Sequence, residues 1–360
     1  MKKLGFILLI AFAGKIFAQK VLPQVSDITL THSILCTPVK DQYLSSTCWS
    51  FAGNSFIESE VLKKKGIKTD LSEMFIARYS YINKVYQYLS QDGKIFFTPG
   101  GQFHDVIKVI KQYGMMPESA YSGKIHGELN HNHSELDTIM KYYAAELLAK
   151  HKKTLATSDL NFLNTTLDNY LGKVPSTFLF NGKTYTAKTF AKDALGFDPD
   201  DYLEITSYTH HPFYKTFILE DKYNWTKDNY YNVPLDDFME ITNTAINNNY
   251  TVCWDGDATD DGFRFNNGLA WLTYPVSNFQ KERQRTYEDK SSALDHMMHV
   301  TGIAKDKENA IWYQLKNSWG TTNIPGGYLF MKEDYFKIKT IAIIVNKNAI
   351  PSAIRRKMNI

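Results

Sequence analysis

The feature that most constrains the fold of this chain is a cysteine whose chemical partners lie far away in sequence. Cys48 stands in the stretch Gln42-Tyr-Leu-Ser-Ser-Thr-Cys48-Trp49, whereas His296 follows it by 248 residues and Asn317 by 269. A nucleophilic thiol needs a base, a group that orients the base and a donor for the oxyanion. His296, Asn317 and Gln42 are residues of those types. If Cys48 is catalytic, the fold must bring both ends of the chain together.

Cys48 is predicted to lie in the first turn of a helix that begins near Thr47 and ends at Lys65, before Gly66. Ser46 or Thr47 can cap such a helix, and cations followed by glycine are typical of a helix C-terminus. The helix dipole is expected to lower the pKa of the thiol from its ordinary value of ~8.5, and a nearby imidazolium lowers it further. A Cys-Trp pair alone is more often a buried thiol than a nucleophile.

Gln42 precedes the cysteine at a distance that suits an oxyanion site. Its side-chain amide and the backbone N–H of Cys48 could converge on one carbonyl oxygen. Losing one such donor costs about 3 kcal/mol in acyl-transfer enzymes. Taken by itself, Gln42 would be an ordinary polar residue of a loop.

His296 is the histidine that we assign as the base. It opens a predicted strand, and His299 has the opposite parity and therefore faces the other side of the sheet. The step Asp295-His296 marks the strand entrance, where a site is accessible. Asn317 would fix the orientation of the imidazole ring, and Trp319 would exclude water from the bond between them.

The composition indicates an exported globular protein. The chain is 43% hydrophobic and 22% charged, which suits a substantial core. Residues 1–18 read as a secretory signal peptide, with a short basic start, an apolar run and Ala18 at a possible cleavage point; an N-terminal anchor or a buried helix is the alternative. Without them, Lys and Arg fall from 41 to 38, equal to the 38 Asp and Glu. We therefore expect a periplasmic or secreted protein with no nucleic-acid partner and no stable membrane association.

The order of patterns predicts an α+β fold with two packed lobes. After the first helix, helical patterns run from Leu71 to about Leu89 and from Gln102 to Tyr113. A polar region at about 125–245 contains further helix-like pieces. Short runs rich in β-formers follow Tyr250, separated by turn residues. The domain is expected to span residues 19–360.

Other cysteines and histidines allow alternatives that the sequence leaves open. Cys36 and Cys253 could form a disulfide, but two unpaired core thiols are at least as consistent with the pattern. The run His131-Asn-His133-Ser-Glu135 lacks a second ligand cluster at a metal-site spacing, so a solvated loop is favoured. We expect no metal and no cofactor.

Four ordered motifs resemble the papain family of cysteine peptidases: Pro38-Val-Lys-Asp-Gln42, Cys48-Trp-Ser-Phe-Ala52, Asp295-His296 and Asn317-Ser-Trp-Gly320. Gly100-Gly101 resembles the substrate-binding glycine pair of that family. Papain-type chains place His and Asn ~130–150 residues after the cysteine, so the longer spacing here implies an insertion at about 125–245. Segments around His211, Tyr231 and Val252 are similar to the bleomycin hydrolase/aminopeptidase C branch.

The resemblance implies a papain-like two-lobe fold, with the cysteine helix in a helical lobe, His and Asn in a β-barrel-like lobe, and a helical insertion. The branch implies an aminopeptidase for peptide substrates, assembled as a homohexamer. Its C-terminus lies in the substrate cleft, a place that Ile360 would take here. The residues expected to bind substrate are therefore Gly100, Gly101, Trp319, Asp295 and Ile360.

Two departures from the family pattern keep other functions open. Thr47 precedes the cysteine, and Ser45-Ser46 replaces a usual glycine. The C-terminal tail does not clearly match the branch. An exported endopeptidase of the same fold is therefore one alternative, and a catalytically silent papain-shaped binding protein is another.

Overall fold

The computed structural model describes residues 22–125 and 127–360. The predicted signal peptide, residues 1–18, lies outside the described residues. The helices are α1 (Cys48–Lys65), α2 (Glu73–Ser90), α3 (Phe103–Tyr113), α4 (Ser134–Ala149), α5 (Thr157–Leu171), the single turn α6 (Ala187–Thr189), α7 (Leu235–Asn247), α8 (Phe279–Glu288), α9 (Glu333–Lys339) and α10 (Ser352–Met358). Within the described ranges, no helix has both the length and the apolar character that a bilayer crossing requires.

The strands are β1 (Thr29–Ser33), β2 (Phe178–Phe180), β3 (Lys183–Tyr185), β4 (Tyr202–Thr206), β5 (Lys215–Ile218), β6 (Asn229–Asn232), β7 (Val252–Gly256), β8 (Phe263–Arg264), β9 (Leu269–Ala270), β10 (His296–Lys305), β11 (Ile311–Lys316), β12 (Tyr328–Lys332) and β13 (Thr340–Asn346). β2 and β3 form a separate hairpin. The other strands form one mixed sheet in the order β5-β6-β4-β13-β7-β10-β11-β12-β9-β8, and β1 adds to β10. The helices gather mainly in the first half of the chain and the central strands in the second, as predicted.

Helix α1 begins and ends where the sequence predicts. Gly66 takes the left-handed conformation (φ 69°) and its N–H bonds to the carbonyl of Leu62, which closes the C-terminus. Thr47 is the N-cap residue, as one of the two expectations had it, but its hydroxyl makes no cap bond and pairs instead with Ser45 Oγ at 2.7 Å. Phe56 on α1 is fully buried and meets the rings of Phe103 and His299. The cysteine helix is thereby packed between α3 and strand β10.

The region 125–245 is not purely helical, in contrast to the expected helical insertion. Its helices α4, α5 and α7 lie close to the predicted pieces, but it also carries β4, β5 and β6, which extend the main sheet. β4 pairs antiparallel with β13 and parallel with β6. These strands are four or five residues long and rich in polar residues. Their alternation was therefore too short to distinguish from loop sequence.

Two large apolar clusters form the core. One packs α1 to α5 together, and the other packs α7 and α9 against the central strands. The C-terminal helix α10 belongs to the second cluster, in which Ile354 and Met358 are buried. Lys357 of α10 pairs with Asp237 of α7 at 3.2 Å. The C-terminus is therefore anchored on the strand lobe, beside α7.

All three cysteines lie in the described part of the chain and none of them forms a disulfide. Cys253 is fully buried in β7, and Cys36 contacts the hydroxyl of Tyr328 at 3.3 Å. Both thiols are therefore unpaired, as one of the two expectations had it, but only Cys253 is a core residue, because Cys36 is partly exposed. Cys48 lies apart from both, at the first residue of α1.

Candidate active site

A cavity of about 360 Å³ opens where the N-terminus of α1 meets the start of β10. It is lined by Gln42, Ser46, Cys48, Thr98, Pro99, Gly100, Gly101, Tyr223, Asp255, Leu294, Asp295, His296, Met297 and Trp319. The fold therefore brings together residues that are up to 277 positions apart in sequence. Seven of the predicted site residues line this cavity, and Asn317 lies directly behind it.

Cys48 meets strand β10 from the first turn of α1. The backbone N–H of Met297 on β10 acts on the thiol and favours its ionised form, but less strongly than burial opposes it. Burial raises the pKa of the thiol to about 12, and the nearby carboxylates of Asp255 and Asp295 act in the same direction. The expected lowering by the helix N-terminus is therefore wrong for the empty cleft, because desolvation outweighs it.

His296 is the first residue of β10, and its ring is held by Asn317. The Nε2 atom of His296 lies 2.7 Å from Oδ1 of Asn317. The backbone N–H of Ser318 donates to the same oxygen at 2.8 Å, which fixes the orientation of the amide because a backbone N–H can only donate. Nε2 must therefore carry the proton of the neutral ring, and Nδ1 is left as the basic nitrogen.

Burial lowers the pKa of His296 to about 4, with the bond to Asn317 acting in the opposite direction. The two shifts therefore favour a neutral thiol and a neutral imidazole in this cavity. Moving the thiol proton to His296 leaves the net charge of the pair unchanged and creates two opposite charges close together. Their attraction offsets part of the desolvation cost of each ion.

Gln42 is oriented by Ser318. The hydroxyl of Ser318 donates to Oε1 of Gln42 at 2.6 Å, and the backbone N–H of Gln42 donates to the carbonyl of Ser318 at 2.8 Å. Because the oxygen of the amide is held by Ser318, its Nε2 group is the donor left to face the cavity. Gln42 is 8% exposed, so this donor is largely desolvated before a substrate arrives.

Trp319 covers the bond between His296 and Asn317. Its ring centroid lies 4.5 Å from that of His296, with an interplanar angle of 32°. Phe263 and Phe265 pack on the edges of the indole and hold it in place. The arrangement agrees with the expectation that Trp319 keeps water away from the hydrogen bond.

Gly100 and Gly101 form the opposite wall of the cavity. A Cβ on Gly100 would lie 2.6 Å from the ring of Tyr223, and one on Gly101 would lie 3.0 Å from the indole of Trp49. The structure gives both glycines a packing reason, because the ring of Tyr223 fills the space beside Gly100, and Asp105 Oδ2, at 2.7 Å, and the indole of Trp49 fill the space beside Gly101. Trp49 is tied to the same wall, since its indole N–H donates to the carbonyl of Pro99 at 3.0 Å.

His299 is separated from the cleft, as the strand parity predicts. Its Nδ1 lies 2.9 Å from Ser55 Oγ on α1, and Ser55 Oγ accepts from Lys316 Nζ at 2.8 Å. Burial and the neighbouring Lys316 lower the pKa of His299 well below its ordinary value. His299 is thus a neutral histidine that joins α1 to the sheet beneath the site.

Three site residues were missed by the sequence analysis. Ser318 orients Gln42, Tyr223 stands over Gly100, and Asp255 lines the cavity from β7. Tyr223 lies in the insertion, where nothing in the sequence pointed to the cleft. The sequence did contain a signal for Asp255, because an acid inside a run of buried strand residues is unusual.

The structure does not bring Ile360 to the cleft, in contrast to the expectation. Ile360 is 42% exposed, and its backbone N–H bonds to the carbonyl of Arg355 at the end of α10. The burial of Ile354 and Met358 holds this helix on the strand lobe. The tail therefore does not occupy the position that the resemblance implied.

Metal-ligating groups near one another are found away from the cavity. In the described ranges, His210, His211 and Glu220 have donor atoms within 4.8 Å of one another. Both histidines pair with Glu220, at 3.2 and 2.6 Å. His131 and His133 also lie side by side, with ring centroids 5.8 Å apart. Neither the cluster of His210, His211 and Glu220 nor the pair of His131 and His133 lines the cavity that contains Cys48.

Comparison with known proteins matches almost the whole chain to one family. The profile of the Peptidase C1-like family covers residues 14–360. The chain is 22% identical to "Cysteine proteinase 1, mitochondrial" of Saccharomyces cerevisiae (strain JAY291), over 89% of this chain and 77% of that protein. It is 21% identical to "Aminopeptidase C" of Lactobacillus delbrueckii subsp. lactis, over 92% of this chain and 84% of the relative.

A solved structure has the same fold. PepW from Lactobacillus rhamnosis HN001 superposes with a TM-score of 0.68 at 18% identity, covering 92% of this chain and 84% of that one. The papain-like α+β fold expected from the sequence is thereby confirmed. On the extent of the profile match, and with the thiol, imidazole and amide groups assembled in one cleft, the chain belongs to the Peptidase C1-like family.

Proposed function

We propose that this protein is a cysteine aminopeptidase that removes residues from the free N-terminus of peptides through Cys48, His296 and Asn317. The observation that carries the proposal is the oriented pair of His296 and Asn317 at 2.7 Å, in the cavity that also exposes Cys48. The names of two relatives, cysteine proteinase 1 and aminopeptidase C, support the same activity.

The geometry supports an acyl-transfer mechanism. Cys48 Sγ attacks the scissile carbonyl carbon as its proton passes to Nδ1 of His296. The oxyanion accepts hydrogen bonds from Gln42 Nε2 and the backbone N–H of Cys48. His296 then gives its proton to the leaving amine, and a thioester remains on Cys48. Water hydrolyses this thioester with His296 as the base, which restores the thiol.

The raised pKa of the Cys48 thiol and the lowered pKa of the His296 imidazole both disfavour a thiolate–imidazolium pair. Because both shifts favour the neutral groups, the proton is expected to leave the thiol as it attacks the substrate. The oxyanion that develops then meets Gln42, whose amide is already oriented by Ser318.

The first experiment measures hydrolysis of two matched fluorogenic leucyl amides, one with a free N-terminus and one acetylated. We expect hydrolysis of the free amide, with a loss of at least about 1,000-fold in Cys48→Ala, because removing the nucleophile of a catalytic triad costs this much or more. Turnover by Cys48→Ala equal to that of the wild type would contradict the assignment.

An endopeptidase is a second candidate, and one observation favours it. Ile360 lies away from the cleft, so the chain's own C-terminus does not block the binding of longer peptides. Cysteine-dependent cleavage of the acetylated substrate, or of an internal bond in a blocked peptide, would establish this activity. The two candidate activities use the same catalytic residues and differ only in whether the cleft requires a free α-amine on the substrate.

Two further parts of the proposal concern the whole protein. We propose export through removal of residues 1–18, which N-terminal sequencing of the mature protein tests. We also propose the homohexamer that the bleomycin hydrolase resemblance implies, which the mass in solution measured by light scattering tests. A mature protein that begins at Met1, or a monomer at micromolar concentration, would count against the respective proposal.

A further inference from the structure

Asp255 is a buried acid in the wall of the cleft that the catalytic mechanism does not use. It is 1% exposed, and its Oδ1 atom has no hydrogen-bond partner among the described residues. The residue nevertheless lines the cavity that contains Cys48. Burying a carboxyl group without a partner costs free energy, so buried polar groups normally have one. The missing partner points to a ligand that enters the cavity.

The surroundings of Asp255 determine the charge that such a ligand must carry. The charged groups that act on the carboxyl are Asp221, Glu204 and Asp295, and all three are acids. The nearest of these in sequence to the catalytic histidine, Asp295, is already satisfied, because it accepts from the N–H of Ala258 and the hydroxyl of Thr259, both at 2.8 Å. Asp255 is therefore the acid with capacity left for a cation.

The position of Asp255 also determines which part of a substrate it can reach. In the antiparallel pairing of β7 with β10, Asp255 lies directly opposite Met297. Met297 lines the same cavity as Cys48, and its backbone N–H acts on the thiol. Residues directly opposite each other in such a ladder have Cα atoms about 5 Å apart. The carboxyl is thus placed beside the point of attack and not at a remote end of the cleft.

We propose that Asp255 binds the α-ammonium group of the substrate residue whose carbonyl Cys48 attacks. In a peptide, that nitrogen is two bonds from the attacked carbon, so it must bind close to the sulfur. The side chain of Leu294 and the ring of Tyr223 line the same cavity. They would surround the side chain of the residue that carries the ammonium group. The inference rests on the proposed peptidase function, and it explains a preference for free N-termini without help from Ile360.

The charge balance of this step is simple. Burial and the three neighbouring acids raise the pKa of Asp255 well above its ordinary value and so favour the neutral carboxyl. An arriving ammonium group favours the carboxylate, and the proton leaves to solvent. The complex then contains one ion pair in place of an unpaired buried acid. An acetylated substrate offers no cation and leaves the carboxyl as it was.

The test compares kcat/KM for the free and acetylated leucyl amides in the wild type and in Asp255→Asn. The substitution keeps the shape of the side chain and removes its charge. We expect the value for the free amide to fall by on the order of 30-fold, the loss typical of removing one partner of a buried charge pair. The value for the acetylated amide should change less than about threefold. An unchanged ratio of the two values would overturn the inference.

Asp295→Asn is the matched control, because it removes a carboxylate from the same cavity. Its carboxylate already has two hydrogen-bond donors, so this variant should keep the preference for the free amine whatever its overall rate. A second pair of substrates, acetyl-Arg-Leu and acetyl-Leu-Leu amides, separates the two sources of a cation, the α-ammonium group and a basic side chain. If Asp255→Asn affects only the arginine substrate, Asp255 binds a basic side chain and the α-ammonium assignment is wrong.

A second measurement needs neither turnover nor a variant. Leucinamide and N-acetylleucinamide are compared for protection of Cys48 in the wild type against alkylation by iodoacetamide. We expect leucinamide to protect at a concentration at least about tenfold lower, because only it carries the ammonium group. Equal protection would overturn the inference. If no substrate is hydrolysed but leucinamide still protects selectively, the proposed function fails and the Asp255 site stands.

Discussion

At the scale of single residues, the side-chain amides of Gln42 and Asn317 are oriented by hydrogen bonds to their oxygen atoms. Ser318 occupies the oxygen of Gln42, and the backbone N–H of Ser318 occupies the oxygen of Asn317. Each bond leaves one defined atom free to act. The site thus depends on Ser318 twice, once through its hydroxyl and once through its backbone.

The hydroxyl of Ser318 can be removed without disturbing the backbone. We expect Ser318→Ala to lower kcat by about tenfold, because the amide of Gln42 then rotates freely and its donor is no longer aligned. Gln42→Ala should lower kcat by about 100-fold or more. Steady-state kinetics of the double variant provide the control. If Ser318 acts through Gln42, the double variant equals Gln42→Ala, whereas multiplied losses would show that Ser318 has a separate role.

At the scale of elements, helix α1 is bound to the sheet by buried polar contacts as well as by aromatic packing. Besides Ser55, which contacts His299, Glu60 on α1 accepts a hydrogen bond from Asn346 at the end of β13, at 2.8 Å. Burial raises the pKa of Glu60 to about 7. Helix α1, which positions the Cys48 thiol, is therefore joined to β13 through Glu60, a group that titrates near pH 7.

The contact between Glu60 and Asn346 makes stability depend on pH. Because the pKa of Glu60 is about 7 in the folded protein and about 4.5 when unfolded, the folded state binds more protons between these values. The stability that Glu60 contributes is therefore present below pH 4.5 and is lost as the pH rises to 7. Glu60→Gln keeps an acceptor for Asn346 and removes the titration.

We expect Glu60→Gln to gain on the order of 2–3 kcal/mol in free energy of unfolding over the wild type at pH 8, and to gain little at pH 4.5. Urea unfolding at a series of pH values measures the difference. Other buried acids such as Glu58 titrate in both proteins and cancel in the comparison. A difference that does not change with pH would rule out Glu60 as the titrating group.

At the scale of the whole molecule, the cleft lies between two lobes and the C-terminus lies elsewhere. Helix α10 is held on the strand lobe by Ile354, Met358 and the pair of Lys357 with Asp237. A relative of this chain can only exclude long peptides with its tail if that tail reaches the cleft. In this structure, the proposed preference for free N-termini would come from the lining of the cleft itself.

Removing the last two residues tests this conclusion. Deleting Asn359 and Ile360 leaves Ile354 and Met358 in place, so the fold and its thermal midpoint should be retained. We expect the ratio of kcat/KM for free and acetylated leucyl amides to stay within about twofold of the wild type, because Ile360 does not line the cavity. A large rise in cleavage of the acetylated amide would show that the tail enters the cleft in solution.

The sequence was informative where a residue type and its spacing carried the chemistry. Helix α1, the strands β7, β10, β11, β12 and β13, and the separation of His296 from His299 followed from periodicity and parity. The strands β4 to β6 did not, because their short polar runs gain their order from pairing with β13 and with each other. Partners set by tertiary contact, such as Ser318 for Gln42, leave no local pattern to read.

The order of strand pairing also determines how much of the chain must be made before the active site can assemble. β10, which carries His296, pairs with β1 near the start of the chain and with β7, and β7 pairs in turn with β13 near the end. Such long-range pairing must close large loops before it yields stabilising contacts, which slows folding. A growing chain exposes Cys48 long before any base can stand opposite it. Cys48 and His296 therefore cannot share one cleft until the chain has been made as far as β10.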